Sequence, residues 1–329
     1  MDSGTFVWMT RPLVGIITPV HNGAMYLAEA IDSVLAQSHE TWRYVIADNA
    51  STDATHEIAS DYAARDQRIE VVHFDELLPI IDNWNRAMML LPAEAPYCKV
   101  LHADDWLLEN CLERFVEVGE RNPTVGLIGS LGLRRGGEVD EVSYEDFPGE
   151  EVMAGKEAIT GLLRHIARAD GFHVFGSPTN TMVRSDFVHG VEEFYESDEM
   201  HADTDTCCRI LMDSDWGFVR EPLAATRVHP GQNEATVKRM KTGHISEMKL
   251  FDRYGPQVLS KGDFDRLRSS AWDDYYRSLA EGVVQLKGPD FWRYHRERVH
   301  RLGESFRVDR IIARVPRTFW RKVLNRLKS

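Results

Sequence analysis

Leu13-Val14-Gly15-Ile16-Ile17-Thr18-Pro19-Val20 is an almost unbroken apolar run, closed by His21-Asn22-Gly23. A segment apolar at odd and even positions alike has no wet face, the pattern of a strand buried on both sides in a parallel sheet. Proline and then a polar-glycine cluster mark its end. Downstream, Leu27, Ala30, Ile31, Val34 and Leu35 recur at helical spacing. Tyr44-Val45-Ile46-Ala47 reads as a second strand ending at Asp48-Asn49, and Ile58, Ala59 and Tyr62 share one face of a helix starting near Asp53. The alternation continues with strands at Ile69 to Phe74, Tyr97 to Leu101 and Val125 to Gly129, and helices at Asn83 to Leu91 and Leu108 to Arg121. It predicts an α/β fold: a mostly parallel sheet with right-handed crossovers, flanked by helices.

Beyond that point the pattern loosens. Leu131 to Phe172 is rich in Gly and Glu and less regular. Short strands at Asn180 to Val183 and Leu223 to Arg227 bracket a helix over Asp203 to Met212. After about Glu234 only helices are expected, clearest at Phe264 to Val284 and Phe291 to Leu302. The expected organisation is therefore an α/β domain over 1–235 and a helical C-terminal region over 236–329.

The 329 residues carry a net charge of −13. An acidic body argues against nucleic acid as the main partner, because phosphate backbones need a basic footprint. From Phe291 to Ser329, however, twelve Lys or Arg stand against three acids. Within that stretch Ile311, Val315, Phe319, Val323 and Leu327 recur every four residues, interrupted by Pro316. Such a cationic amphipathic segment suits an anionic membrane surface, the acidic body or a subunit interface. Cys98, Cys111, Cys207 and Cys208 form no C-x-x-C pair, and the N-terminus lacks a basic start with an apolar stretch. No apolar run approaches a membrane span. The expected location is cytoplasmic, with the inner face of a membrane open to the basic C-terminus.

Open α/β sheets bind ligands at the carboxyl ends of their strands, and three polar clusters fall there: Thr18 to Asn22, Asp48 to Ser51, and His102 to Asp105. Neither G-x-G-x-x-G nor G-x-x-x-x-G-K-[ST] is present, which disfavours dinucleotide dehydrogenases and P-loop kinases. Asp48 and Asn49 can exchange hydrogen bonds with a base or ribose, whereas Ser51 to Asp53 read as a helix cap. Asp104 and Asp105, adjacent after an apolar strand, repel each other and are costly to bury. A hard divalent cation, Mg²⁺ or Mn²⁺, relieves both problems and bridges to a diphosphate. An exposed acidic turn ahead of a helix is the other reading of that pair.

Taken together, Thr18-Pro19-Val20-His21-Asn22, Ser33-Val34-Leu35-Ala36-Gln37-Ser38, Asp48-Asn49-Ala50-Ser51-Thr52-Asp53 and Ala103-Asp104-Asp105 resemble the family 2 glycosyltransferases, in their order and separations. The resemblance covers roughly residues 12 to 130 and implies the GT-A fold, a nucleoside-diphosphate-sugar donor, a divalent metal (Mn²⁺ or Mg²⁺) and inversion at the anomeric carbon. It implies donor contacts from Thr18, Pro19, Val20, His21, Asp48, Asn49, Asn85 and Asp104, and metal ligation by Asp105 and His229. The stretch Ala202-Asp203-Thr204-Asp205 resembles the family's base-bearing helix start, which makes Asp203 the implied catalytic base and Asp205 its reserve; Ala202 stands where the family's first acid is usual. Phe175 to Asn180 resembles the acceptor-side turn, and Arg227 to Gln232 the segment whose histidine lies near metal and diphosphate. Arg86 is a candidate for positive charge near the donor. The acceptor class implied is a saccharide or lipid-linked saccharide, in surface polysaccharide or glycoconjugate assembly of the bacterial type. A non-catalytic nucleotide-sugar-binding subunit and a nucleotidyltransferase are the alternatives.

Overall fold

In the computed structural model, which describes residues 11–136, 141–143, 149–172, 177–196, 202–229 and 239–315, the opening run is strand β1 (Val14–Val20), with six of its seven residues buried. It pairs in parallel with β2 (Trp42–Asn49) on one side and β4 (Tyr97–Val100) on the other, and β3 (Ile69–Phe74) lies outside β2. Helices α1 (Leu27–Leu35), α2 (Thr55–Ala63) and α3 (Ile80–Met88) make the crossovers between them. Each strand therefore has a helix-covered face, and Ile16, Tyr44, Ile46 and Tyr97 share one core cluster with Ile31, Val34 and Phe115. The parallel character expected from the sequence is that of these four strands.

Past β4 the sheet becomes mixed. A two-residue strand, β5 (Trp106–Leu107), precedes α4 (Cys111–Arg121) and is followed by β6 (Val125–Arg135). Edge strands β7 (Glu141–Ser143) and β8 (Val152–Met153) lead to α5 (Gly155–Ile166), then β9 (Thr181–Arg184), α6 (Ala202–Leu211) and β10 (Asp215–Arg227). The order is β3-β2-β1-β4-β9-β6-β10-β5, with β6 and β10 parallel and β9 and β5 antiparallel to their neighbours. Among the described residues the helices α7 (Gly243–Val258), α8 (Lys261–Val284), α9 (Pro289–Arg301) and α10 (Val308–Ile312) follow.

Several elements depart from the expectation. The stretch read as irregular contains the twelve-residue α5. Its Gly155 is there for close approach rather than for a turn, because a Cβ would lie 2.1 Å from the carbonyl oxygens of Leu211 and Ser214. The strands β6 and β10 are eleven and thirteen residues long, well beyond the apolar cores that announce them. Helix α7 carries Gly255 and Pro256 in its last turn, residues that obscure a helical period.

The chain divides into two compact units, one of 1–158, 174–198 and 202–229, the other of 159–173, 199–201 and 230–329. The second thus takes in 159–173, which the sequence reading assigns to the first. Within the second unit, α8 supplies the acids that meet the start of the basic C-terminal segment. Asp273 accepts from Arg314, and Arg310 lies over the Tyr276 ring at 5.6 Å. The rest of that segment, with Phe319, Val323 and Leu327, lies outside the described residues. None of the helices described is long and apolar enough to cross a membrane. All four cysteines are buried and free.

Candidate active site

The carboxyl ends of β1 and β2 are knitted into one rim. His21 Nδ1 donates to the Asn49 carbonyl at 2.8 Å, Asn22 N–H to Ser51 Oγ at 2.9 Å, Thr52 N–H to Asn22 Oδ1 at 2.8 Å, and Gly23 N–H to Thr55 Oγ1 at 2.8 Å. Asp53 accepts from Thr55 N–H at the start of α2, as a cap, and from Ala24 N–H across the gap. Ser51 and Thr52, read as part of the cap, hold Asn22 instead. Asn22 and Ala50 have φ of 51° and 54°, the left-handed region that costs an alanine roughly 1–2 kcal/mol. Strained backbone at the mouth of a crevice, held by so many bonds, fits a preformed binding surface.

At the floor of this rim Asp48 is wholly buried. Its Oδ1 accepts from Ser51 N–H at 3.1 Å and its Oδ2 from His73 Nδ1 at 2.8 Å. Four other residues expected to touch a donor turn their side chains to different work. Thr18 is buried and donates to the Leu101 carbonyl at 2.7 Å while accepting from the Tyr44 hydroxyl at 2.8 Å, which ties β1 to β2 and to the end of β4. Val20 belongs to the core. Asn49 donates to Leu78 O at 2.9 Å and accepts from Leu78 N at 3.0 Å and from Arg86 at 2.6 Å. Asn85 brackets Tyr195, giving to its carbonyl and taking from its N–H, both at 2.7 Å. A carboxamide carries one donor and one acceptor group, so it matches a peptide's own pair and pins a loop. Pro19 stays part-buried in β1 opposite Ala47. Arg86 is not a free surface cation: its guanidinium lies over Phe74 at 3.6 Å.

The Asp104-Asp105 turn gets its shape from both sides. On one side stand Ser33 of α1 and Gln37 just past its end: Ser33 Oγ accepts from Leu107 N–H, and the Gln37 amide pairs with Leu108 O and Leu112 N at 2.8 and 3.0 Å. That gives the Ser33 to Ser38 motif a physical reason. On the other side β5 pairs with Ala224 and Ala225 of β10, which carries Arg227 and His229 to the turn. Asp105 is buried, accepting from the Thr179 hydroxyl at 2.8 Å and from Arg227 N–H at 3.0 Å. The exposed acidic turn is thereby ruled out for Asp105. Asp104 is the outward carboxylate, 33% exposed, with Oδ2 3.0 Å from His229 Nε2. The exposure is the reverse of what a ribose-facing Asp104 beside a metal-facing Asp105 suggests.

His102, Asp104 and Asp105 offer ligand atoms within 4.8 Å of one another. Burial disfavours a charged His102 ring, but Asp105, Asp104 and Asp203 together raise its pKa above the ordinary value. The charge of Asp203 is the smallest of these contributions. Asp203 sits part-exposed at the start of α6, where Oδ1 accepts from Thr204 N–H at 2.8 Å. Asp205 is buried and turned away from solvent. Trp84 stacks on His102 with ring centroids 5.0 Å apart and meets Tyr195 edge-on at 5.3 Å. Trp84 and Tyr195 are invisible as site residues in the sequence, because only the fold brings them to the aspartates. Phe175 and Gly176 of the acceptor-side turn lie outside the described residues.

That turn is anchored by a residue with no motif of its own. Lys99, fully buried in β4, donates from Nζ to the carbonyls of Val100, Pro178 and Thr181 at 3.1, 3.2 and 3.0 Å, and to that of Thr179. Lys99→Met leaves several of these acceptors unpaired, and a loss of about 3 kcal/mol is expected at pH 7. Burial pulls the Lys99 pKa down to about 8, against roughly 10.4 in an unfolded chain. Between those values the unfolded chain binds more protons, so this group's contribution to stability rises with pH across that window. Urea titrations at pH 7 and about pH 9.5 check both points: the deficit of the variant should be present at the first and larger at the second.

The model of the family described as Glycosyl transferase family 2 matches residues 15–189, more than half of the chain. The chain belongs to glycosyl transferase family 2. This glycosyltransferase is 37% identical over 107 residues to a Bacillus subtilis protein named as a teichuronic acid biosynthesis glycosyltransferase, TuaG, covering 32% of this chain and 42% of that one. It is 25% identical over 114 residues to glycosyltransferase GlyG of Streptococcus pneumoniae, covering 34% and 37%. The matches span less than half the length of these relatives. Among solved structures, the S. aureus TarS 1-349 complex with UDP superposes at a TM-score of 0.59 with 13% identity, over 84% of this chain and 75% of that one. A Pyrobaculum calidifontis mannosyltransferase in complex with GDP-Man and Mn²⁺ superposes at 0.55 with 15% identity, over 95% and 89%. At such identities the likeness establishes the GT-A fold and leaves the ligands to those proteins.

Proposed function

We propose that this glycosyltransferase moves a sugar from a nucleoside-diphosphate sugar to an acceptor hydroxyl, with inversion at the anomeric carbon. The observation that carries the reading is the meeting of Asp104 with His229 beside a buried Asp105, at the carboxyl end of β4, within electrostatic reach of Asp203. Carboxylate oxygens with one imidazole suit Mn²⁺ or Mg²⁺, and Asp104, Asp105 and His229 are the residues that would hold it. When bound, such a cation neutralises the donor diphosphate and stabilises the leaving group.

The chain's own residues supply the rest. The rim of His21 to Ala24 and Asn49 to Asp53 receives the nucleoside, and Asp48 accepts a hydrogen bond from the base. Trp84, His102 and Tyr195 form an aromatic wall against which the transferred sugar is oriented. Asp203 takes the proton of the acceptor hydroxyl as that oxygen attacks from the face opposite the diphosphate. Single displacement gives inversion without a covalent nucleophile. The likeness to TuaG supports an acceptor in surface polysaccharide assembly, a saccharide or lipid-linked saccharide. Incubation with UDP- and GDP-sugars, Mn²⁺ and saccharide acceptors tests the reading. Nucleoside diphosphate and a product of inverted anomeric configuration by NMR are expected. Pyrophosphate release would mark nucleotidyl transfer instead, and binding without turnover across a broad panel would mark a binding subunit.

A further inference from the structure

Asp48 has more around it than base recognition requires. Two histidines from different elements, His56 of α2 and His73 of β3, aim Nδ1 at the same carboxylate oxygen, Oδ2, at 3.5 and 2.8 Å. The two rings meet edge-to-face with centroids 4.9 Å apart. The three ligand atoms lie within 4.8 Å of one another. The carboxylate is wholly buried, while the histidine side chains are 50% and 37% exposed, so the trio opens to solvent on the imidazole side.

From these facts the geometry points to a second cation site, Asp48-His56-His73, that takes a zinc-class ion (Zn²⁺ or Co²⁺) and is separate from the Asp104-Asp105 turn. Two imidazole nitrogens with one carboxylate are the ligand chemistry of zinc rather than of Mg²⁺ or Ca²⁺, which prefer all-oxygen sets. Bonds of 2.0–2.2 Å in a tetrahedron put ligand atoms about 3.3 Å apart. The His56–Asp48 spacing is already close to that, and the His73–Asp48 spacing needs to open by about half an ångström, which a part-exposed ring does by turning. A second, independent feature is the far nitrogen of His56, which lies 3.4 Å from the Ser60 hydroxyl. Such an outer partner on the unligated nitrogen orients a ligating imidazole. Burying an ionised carboxylate is costly without a compensating charge, and two histidines give one only when protonated. A divalent cation supplies it and leaves a fourth position open to water.

The same Oδ2 edge is what the proposed donor site offers to a nucleobase. Resting on that reading, the cation and the nucleotide compete for Asp48.

Calorimetric titration of the full chain with Zn²⁺, and the visible absorption of Co²⁺, test the site without reference to turnover. One zinc-class ion is expected to bind here, beside any taken by the Asp104-Asp105 turn, and this binding is weakened tenfold or more in His56→Ala and in His73→Ala and retained in Asp105→Asn. Both histidines are part-exposed, so these variants keep the fold. Absence of binding, or binding unchanged in the histidine variants, overturns the site. Weaker Zn²⁺ binding in saturating uridine or guanosine, which carry the base without a chelating diphosphate, supports the shared carboxylate. Unchanged Zn²⁺ binding there leaves the cation site standing and removes Asp48 from the base contact.

Discussion

Asp203→Asn is expected to lower transfer by about a thousandfold, within the range that a positioned general base contributes, while donor affinity in the presence of Mn²⁺ stays within about twofold. The choice of Asn matters because Asp203 also accepts from Thr204 N–H at the start of α6. Asn keeps a side-chain oxygen able to accept the same N–H, so that contact survives and only the basicity is lost. Asp203→Ala would confound the two, adding the loss of that hydrogen bond to any catalytic effect. Asp205→Asn is the matched comparison: Asp205 is buried, and its substitution should act on stability before it acts on turnover. Single-turnover rates beside calorimetric donor affinities separate chemistry from binding. Near-normal turnover in Asp203→Asn would take the base role away from this residue.

The second large effect concerns the paired aspartates, and the structure divides it between them. Asp104 is a third exposed and faces His229, so Asp104→Asn should leave the thermal midpoint nearly unchanged. It should weaken Mn²⁺-dependent nucleotide binding by roughly a hundredfold or more, since a bound cation is worth several kcal/mol of charge stabilisation. Asp105 is buried and holds Thr179 and Arg227 N–H. Asp105→Asn turns an acceptor-only group into one that presents N–H donors to donors. A loss of about 2 kcal/mol in stability is therefore expected on top of the lost affinity. Thermal midpoints measured alongside metal-dependent binding distinguish the two aspartates. Equal destabilisation by both substitutions would contradict the division of roles.

Much of this was legible in the residues because the relevant physics is local. A strand buried on both faces must be apolar throughout, so β1 announces itself. The aspartates stand out because charge after an apolar run is costly. Other features depend on contacts that no local pattern records. Strand β5 is two residues long, too short for any period, yet it carries β10 and its Arg227 N–H to Asp105. Lys99 looks like an interruption in a strand until the 178–181 turn closes over it. Tyr195 reaches the site only because Asn85, 110 residues earlier in the chain, holds its backbone. Asn49 drew a ligand reading because amides suit nucleotides, and Asn85 drew one from the family resemblance. The fold uses the same donor-acceptor pairing on its own peptide groups.

The donor site is tested most directly by calorimetric titration of UDP and GDP into the full chain, with Mn²⁺ and again with EDTA. The geometry at Asp104, Asp105 and His229 predicts that at least one of the two nucleotides binds with Mn²⁺, that EDTA abolishes the binding, and that Asp104→Asn abolishes it as EDTA does. Binding of equal strength with EDTA, or in Asp104→Asn, would contradict a metal-assisted donor site at this turn.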